Sequence, residues 1–148
     1  MQIRLATQDD LQLVLDFAVH YPFEVIEAYG SEVDLYILAQ TTKKLIALKG
    51  IYILEIKGFP MAVMAGAIVP SFFSVDKLYN MLFFVVHPNY RRYTARVIDY
   101  VEQELVKVGV DKVLLANFAQ NNGEKIDRYY RMIGYKVLET TYYKQVKE

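Results

Sequence analysis

The chain of 148 residues contains no cysteine. That absence excludes a disulfide framework, a thiolate metal site and a catalytic thiol. It fits a reducing compartment, and the expected location is cytoplasmic. Neither sign of charge is in excess, since 17 Lys and Arg balance 17 Asp and Glu. A neutral chain offers no global field for nucleic acid or an anionic membrane, so neither is expected as a partner. Long hydrophobic runs are also missing. The uncharged stretch Phe59 to Phe73 is broken by Pro60, Gly66 and Pro70 and falls short of the roughly 20 residues of a spanning helix. Met1-Gln2-Ile3-Arg4-Leu5 lacks the apolar run of a signal peptide. The glycine fingerprints of phosphate-loop NTPases and of dinucleotide-binding domains do not occur. What is present is 54% hydrophobic and 23% charged residues, enough for one compact core. With no linker, repeat or low-complexity segment, residues 1–148 are expected to form a single domain.

Hydrophobic periodicity sets the expected elements. Gln2 to Ala6 alternates as a first strand, and Thr7-x-x-Asp10 caps a helix carrying Leu11, Val14, Leu15, Ala18 and Val19, which Pro22 ends. Ser31-x-x-Asp34 opens a second helix in which Val33, Tyr36 and Ile37 share a face. From Ile51 the period changes. Ile51–Lys57 reads as a strand, Gly58-Phe59-Pro60 as a turn, Met61–Phe73 as a strand that Pro70 ends or bends, and Leu78–His87 as a strand buried on both faces. A helix over Thr94–Val108 presents Val97, Ile98, Val101, Leu105 and Val108, with Gly109 beyond it. Lys112–Phe118, Glu124–Ile133 and Tyr135–Lys144 complete the order as strand, helix and strand.

Two segments carry a resemblance. Leu82-Phe83-Phe84-Val85-Val86-His87-Pro88-Asn89-Tyr90-Arg91 looks like a central strand ending in Val-x-Pro-x-Tyr-Arg, and Tyr130-Arg131-Met132-Ile133-Gly134-Tyr135 is similar to a Tyr-x-x-x-Gly-Phe motif. At this separation, with a helix, a strand and a helix involved, the chain resembles the GNAT superfamily of acetyl-CoA-dependent N-acetyltransferases over nearly its whole length. The glycine-poor loop after the first motif is similar to short phage-type members. The resemblance implies an α/β fold of the GNAT type: a mixed, mostly antiparallel sheet with a central parallel strand pair and helices on both faces.

The same resemblance implies a site. Acetyl-CoA is the expected acetyl donor, and no metal is implied. Its thioester would meet backbone groups of Phe84, Val85 and Val86, and its pyrophosphate the stretch Arg91, Arg92, Tyr93, Thr94, Ala95 and Arg96. A helix N-terminus offers unpaired N–H groups and a favourable dipole there, and arginines add charge-assisted hydrogen bonds. The family loop, Arg/Gln-x-x-Gly-x-Gly/Ala, reads Arg-Arg-Tyr-Thr-Ala-Arg here, with Thr94 in place of a glycine and Arg96 in place of a small residue. The competing reading leaves the three arginines as solvated surface charges. Asn117 and Asn122, with Asn121, stand where family members contact the pantetheine arm, although Asn-Asn-Gly is also an ordinary turn signal.

Tyr130, four residues before Gly134, takes the family position of the acid that protonates the departing thiolate, with adjacent Tyr129 as the other register. Asn80 stands where some members carry a glutamate base and would hold a water instead. Glu55, His20 and His87 are the other candidate bases. The expected activity is direct acetyl transfer to a primary amine, on a small molecule or a protein, and a homodimer is compatible with it. The alternative is a GNAT-like domain that binds CoA or a protein partner without transferring acetyl.

Overall fold

A computed structural model of the chain describes residues 1–19, 32–117 and 123–147. It divides into two compact units, Met1–Tyr21 with Asp34–Ala116, and Pro22–Val33 with Asn117–Glu148.

The first unit is built on a five-stranded sheet whose strands neighbour one another in chain order. The strands are β1 (Gln2–Leu5), β2 (Ile51–Ile56), β3 (Phe59–Pro70), β4 (Lys77–Val86) and β5 (Lys112–Leu114). The first four pair antiparallel, and β5 runs parallel to β4. The fold is therefore the mixed, mostly antiparallel α/β sheet that the resemblance implies. The parallel pair lies at one side of the five strands, because no strand follows β5 in the described sheet.

Alternation along β2 and β3 divides the core. Ile51, Ile53, Val63 and Ala65 pack with Val14 of helix α1 (Leu11–Val19) and with Leu45 and Ile46 of helix α2 (Leu35–Ala47). Tyr52 points to the opposite face, where burial first, and then Glu104 and Tyr100 of helix α3 (Thr94–Lys107), push its phenol up to about 12. Val97, Ile98, Val101 and Leu105 are the buried stripe of α3, whereas Val108, expected on that face, lies past the last turn and is exposed.

The first cap is part of a larger cluster. The Asp10 carboxylate accepts the Thr7 N–H at 2.7 Å and both Arg4 terminal nitrogens at 2.8 and 2.9 Å, and Arg4 also donates to Glu55 at 2.7 Å. One guanidinium thus ties β1, β2 and the entry to α1. The second cap is Asp34, whose side chain accepts the Ile37 N–H at 3.0 Å. Ser31 falls outside the described residues. The expected shared face of α2 is corrected: Tyr36 and Ile37 are exposed, and Thr42, Leu45 and Ile46 are buried. The C-terminal half of the helix sets its packing register, and the apolar first turn follows that register outward.

The turn between β2 and β3 is Lys57–Gly58, with φ of 52° and 79°, so Phe59 and Pro60 already pair in the ladder rather than forming the turn. Both residues take the positive φ of a two-residue hairpin turn that matches strand twist.

In the second unit, helix α4 (Gly123–Met132) ends near Gly134 at φ 100°. Residues 135–147 form no strand, against the expected strand Tyr135–Lys144. Val137, Leu138, Tyr142 and Tyr143 are exposed. A period-two pattern says which side chains would share a face, but it supplies no partner edge.

Candidate functional site

The first unit contains an opening in its sheet. β4 and β5 pair only through Leu78–Lys112, Tyr79–Val113 and Asn80–Leu114. β4 then continues to Val86 with β3 alone as its partner among the described strands. A bulge lies just beyond the parting, where Ala65 faces Phe83, Gly66 faces Met81, and Leu82 is left unopposed. Bulges add local twist and re-aim the strand that carries them.

Glycine is needed opposite this bulge. A Cβ on Gly66 would run into the Tyr79 ring and lie 2.8 Å from the Asn80 carbonyl oxygen. Tyr79 crosses that space to donate its hydroxyl to Gly50 O at 2.9 Å, and burial raises its phenol well above the usual range.

Past the bulge the backbone register is fixed. His87 N–H donates to Met61 O at 2.8 Å, so Val85, two residues earlier, also turns its amide towards β3. Alternation points the Phe84 and Val86 amides the other way, towards the side that β5 has left. Two backbone donors spaced along an open strand edge are what an extended, carbonyl-bearing ligand requires.

β4 leads directly into the cationic turn. Pro88–Tyr93 is a 3-10 helix continuous with α3. Thr94, where the resemblance leads one to expect a glycine, sits at φ -53° and ψ -49°, an ordinary right-handed conformation. Its N–H and its hydroxyl both donate to Arg91 O, the hydroxyl at 2.7 Å. Arg92 donates to Asn89 O at 2.8 Å and lies over the rings of Tyr90 and Tyr93, and Arg96 lies over Tyr93. Arg91 is exposed, with no hydrogen bond or ion pair to its guanidinium among the described residues. Ala95 is exposed in the first turn of α3.

The candidate bases separate clearly. Asn80 occupies the last rung shared with β5 and is exposed at the parting of the strands. Glu55 is held by Arg4 and so is engaged as a structural ion pair. The His87 ring accepts the Asn89 N–H at 3.3 Å and meets Tyr90 edge-on. His20 lies outside the described residues.

Within the second unit, Tyr130 contacts Tyr129 and Tyr135, with ring centroids 6.3 and 6.0 Å away. Burial, with Tyr129 adding to it, pushes its phenol up to about 12, so the hydroxyl keeps its proton at neutral pH. Asn117 donates to Gly123 O at 2.8 Å and lines an open depression with Glu124, Asp127 and Arg128. Asn121 and Asn122 lie outside the described residues. Tyr90, though part of the Val-x-Pro-x-Tyr-Arg motif, is not among the expected site residues. Its spacing of three from Tyr93, beside Arg92 and Arg96, was the available signal.

No protein-family model matches the chain, and no curated protein matches it in sequence. Solved structures do match in fold. A possible acetyltransferase from Clostridium difficile 630 superimposes with TM-score 0.73 at 20% identity, over 99% of this chain and 98% of the other. AAC(6')-Iy, in complex with the bisubstrate analogue CoA-S-monomethyl-acetylneamine, gives TM-score 0.76 at 12% identity, over 99% and 97%. The aminoglycoside 6'-N-acetyltransferase AAC(6')-IG from Acinetobacter haemolyticus gives 0.73 at 15%, over 100% and 99%. The chain has the fold of the GNAT acetyltransferases. The comparison agrees with the resemblance carried by Val86-His87-Pro88-Asn89-Tyr90-Arg91 and by Tyr130–Tyr135.

Proposed function

We propose that this protein is an N-acetyltransferase that moves an acetyl group from acetyl-CoA directly to the primary amine of a small molecule. The observation that carries the proposal is the parting of β4 from β5 after Asn80, which turns the Phe84 and Val86 amides towards an open edge leading to Arg91. These residues suit acetyl-CoA: an extended amide-bearing arm can pair along the open edge, and a pyrophosphate matches Arg91 and the first turn of α3. Of the solved structures named above, AAC(6')-IG is an aminoglycoside 6'-N-acetyltransferase and AAC(6')-Iy holds a bisubstrate analogue that joins CoA to acetylneamine. That likeness supports a small-molecule acceptor over a protein one.

Acetyl-CoA supplies an activated thioester, and the chain's own groups do the rest. The Val86 N–H donates to the thioester oxygen, where negative charge develops as the amine attacks. The Asn80 side chain, exposed on the last rung before the strands part, holds a water that takes the amine proton. Tyr130, neutral at pH 7, returns a proton to the departing sulfur. Its assignment rests on the spacing to Gly134.

Calorimetric titration with acetyl-CoA tests the reading. Saturable binding is expected in the wild type, and Arg91→Ala weakens it about ten- to a hundred-fold, the cost of one charge-assisted hydrogen bond. Absence of binding in the wild type would sink the proposal. Unchanged affinity in Arg91→Ala would move the phosphates elsewhere.

A further inference from the structure

We propose that the loop between β3 and β4 is a lipid-contacting tip, which seats Phe72, Phe73 and Val75 in the interface of a zwitterionic bilayer. It stands apart from the acetyl-CoA reading, and either can fail without the other.

Phe72 and Phe73 are each 92% exposed and Val75 is 99% exposed, so neighbouring apolar side chains stand almost wholly in water. Single apolar residues are ordinary on a surface, but a cluster this complete marks a contact. The two rings meet edge-on with centroids 4.9 Å apart. The loop that carries them is braced from within. Asp76 O accepts the Ser71 N–H at 2.9 Å and closes the neck of the loop. Ser71 Oγ accepts the Phe73 N–H at 3.2 Å, and Ser74 Oγ accepts the Asp76 N–H at 3.3 Å. The base is tied to the entry of β5. Lys77 N–H donates to Asp111 Oδ2 at 2.8 Å, Asp111 N–H to Lys77 O at 2.9 Å, and Lys112 to Asp76 Oδ2 at 2.9 Å. The rings are therefore held outward by a fixed frame.

Area, polarity and charge together favour lipid over a second copy of the chain. Two phenyl side chains and a valine offer about 400–600 Å². A stable protein interface needs about 800 Å² from each partner, so the tip alone gives a dimer too little. A bilayer asks for no matching surface. It does offer no hydrogen bonds to groups that enter its apolar region, so these must be satisfied beforehand. Ser71 and Ser74 do this for the Phe73 and Asp76 amides inside the loop. At the base, Lys77 and Lys112 are balanced by Asp76 and Asp111, as the whole chain is balanced. Such a tip has no attraction to anionic headgroups in particular, and apolar insertion is what holds it. The attachment is marginal and reversible, like that of a single acyl chain.

The chain has no tryptophan, so Phe73→Trp places a single fluorescent reporter at the tip. With phosphatidylcholine vesicles its emission is expected to shift to the blue and to be quenched by brominated acyl chains, with no effect of added salt. Wild-type protein is expected to float with the same vesicles at high lipid. Phe72→Ser and Phe73→Ser each weaken that binding about ten-fold or more, the worth of one buried phenyl, at an unchanged melting temperature. No emission shift and no flotation overturns the proposal. Binding confined to phosphatidylserine vesicles and released by salt overturns it in favour of the lysines. A blue shift that grows with protein concentration in the absence of lipid, and that a Phe72→Ser substitution abolishes, overturns it in favour of a second copy.

Discussion

Val86 contributes to the proposed chemistry through its backbone, and that makes it testable by proline. Because its amide points away from β3, Val86→Pro removes a donor without removing a ladder bond. Turnover is expected to fall about a hundred- to a thousand-fold, as when one oxyanion donor is lost, with a modest change in melting temperature. Val85→Pro inverts the pattern, since it deletes a bond to β3, and its main effect is a lower melting temperature. Equal effects of the two substitutions on turnover and melting would show that the register drawn here is wrong. At Asp10, Arg4 first and then the Thr7 amide hold the carboxyl down at about 2, from its ordinary 3.8. A lowered carboxyl stabilises the fold above its ordinary value, and the contribution is lost as pH falls through the folded value. About 1–2 kcal/mol should therefore disappear between pH 4 and pH 2. Urea unfolding of wild type and Asp10→Asn should differ at pH 7 and converge near pH 2. The sequence revealed the Thr7–Asp10 cap but not Arg4 and Glu55 beside it, because their meeting depends on how β1 pairs with β2.

Among the elements, α3 was the most legible. Val97, Ile98, Val101 and Leu105 fall on one face at helical spacing, and no tertiary contact was needed to read them. The opening between β4 and β5 was not legible in the same way, since it depends on a bulge at Leu82 that no spacing announces. Gly66 is the residue that permits this bulge, through the Tyr79 ring that crosses over it. Gly66→Ala is expected to cost about 1–3 kcal/mol through overpacking, read as a fall in thermal or urea midpoint. A neutral result would mean that Tyr79 relaxes away without consequence. The β2–β3 turn offers the opposite change. Lys57 holds φ 52° before Gly58, where asparagine is better suited, so Lys57→Asn should raise the midpoint slightly, by about 0.5–1 kcal/mol. A lower midpoint would refute the turn assignment. The misread Tyr135–Lys144 strand shows the limit of pattern alone, since alternating apolar residues predict a face only where an edge receives them.

For the molecule as a whole, the sequence resemblance and the fold agree, and the acceptor is the part that neither contains. The motifs that carry the resemblance bear on the proposed acetyl-CoA site, whereas an acceptor is selected by surfaces that vary within one fold. Asn80, where some members carry a glutamate, and the 3-10 turn, in place of a glycine loop, are where this chain departs from the pattern of the family it resembles. They make transfer itself the claim to test. The direct measurement is release of free CoA thiol from acetyl-CoA by purified protein across a panel of small primary amines that includes an aminoglycoside. Thiol release matched mole for mole by acetylated amine is expected for at least one acceptor, falling about a hundred-fold or more in Tyr130→Phe while acetyl-CoA affinity holds. Tight acetyl-CoA binding with no thiol released by any amine would contradict it and leave a CoA-binding domain without transferase activity.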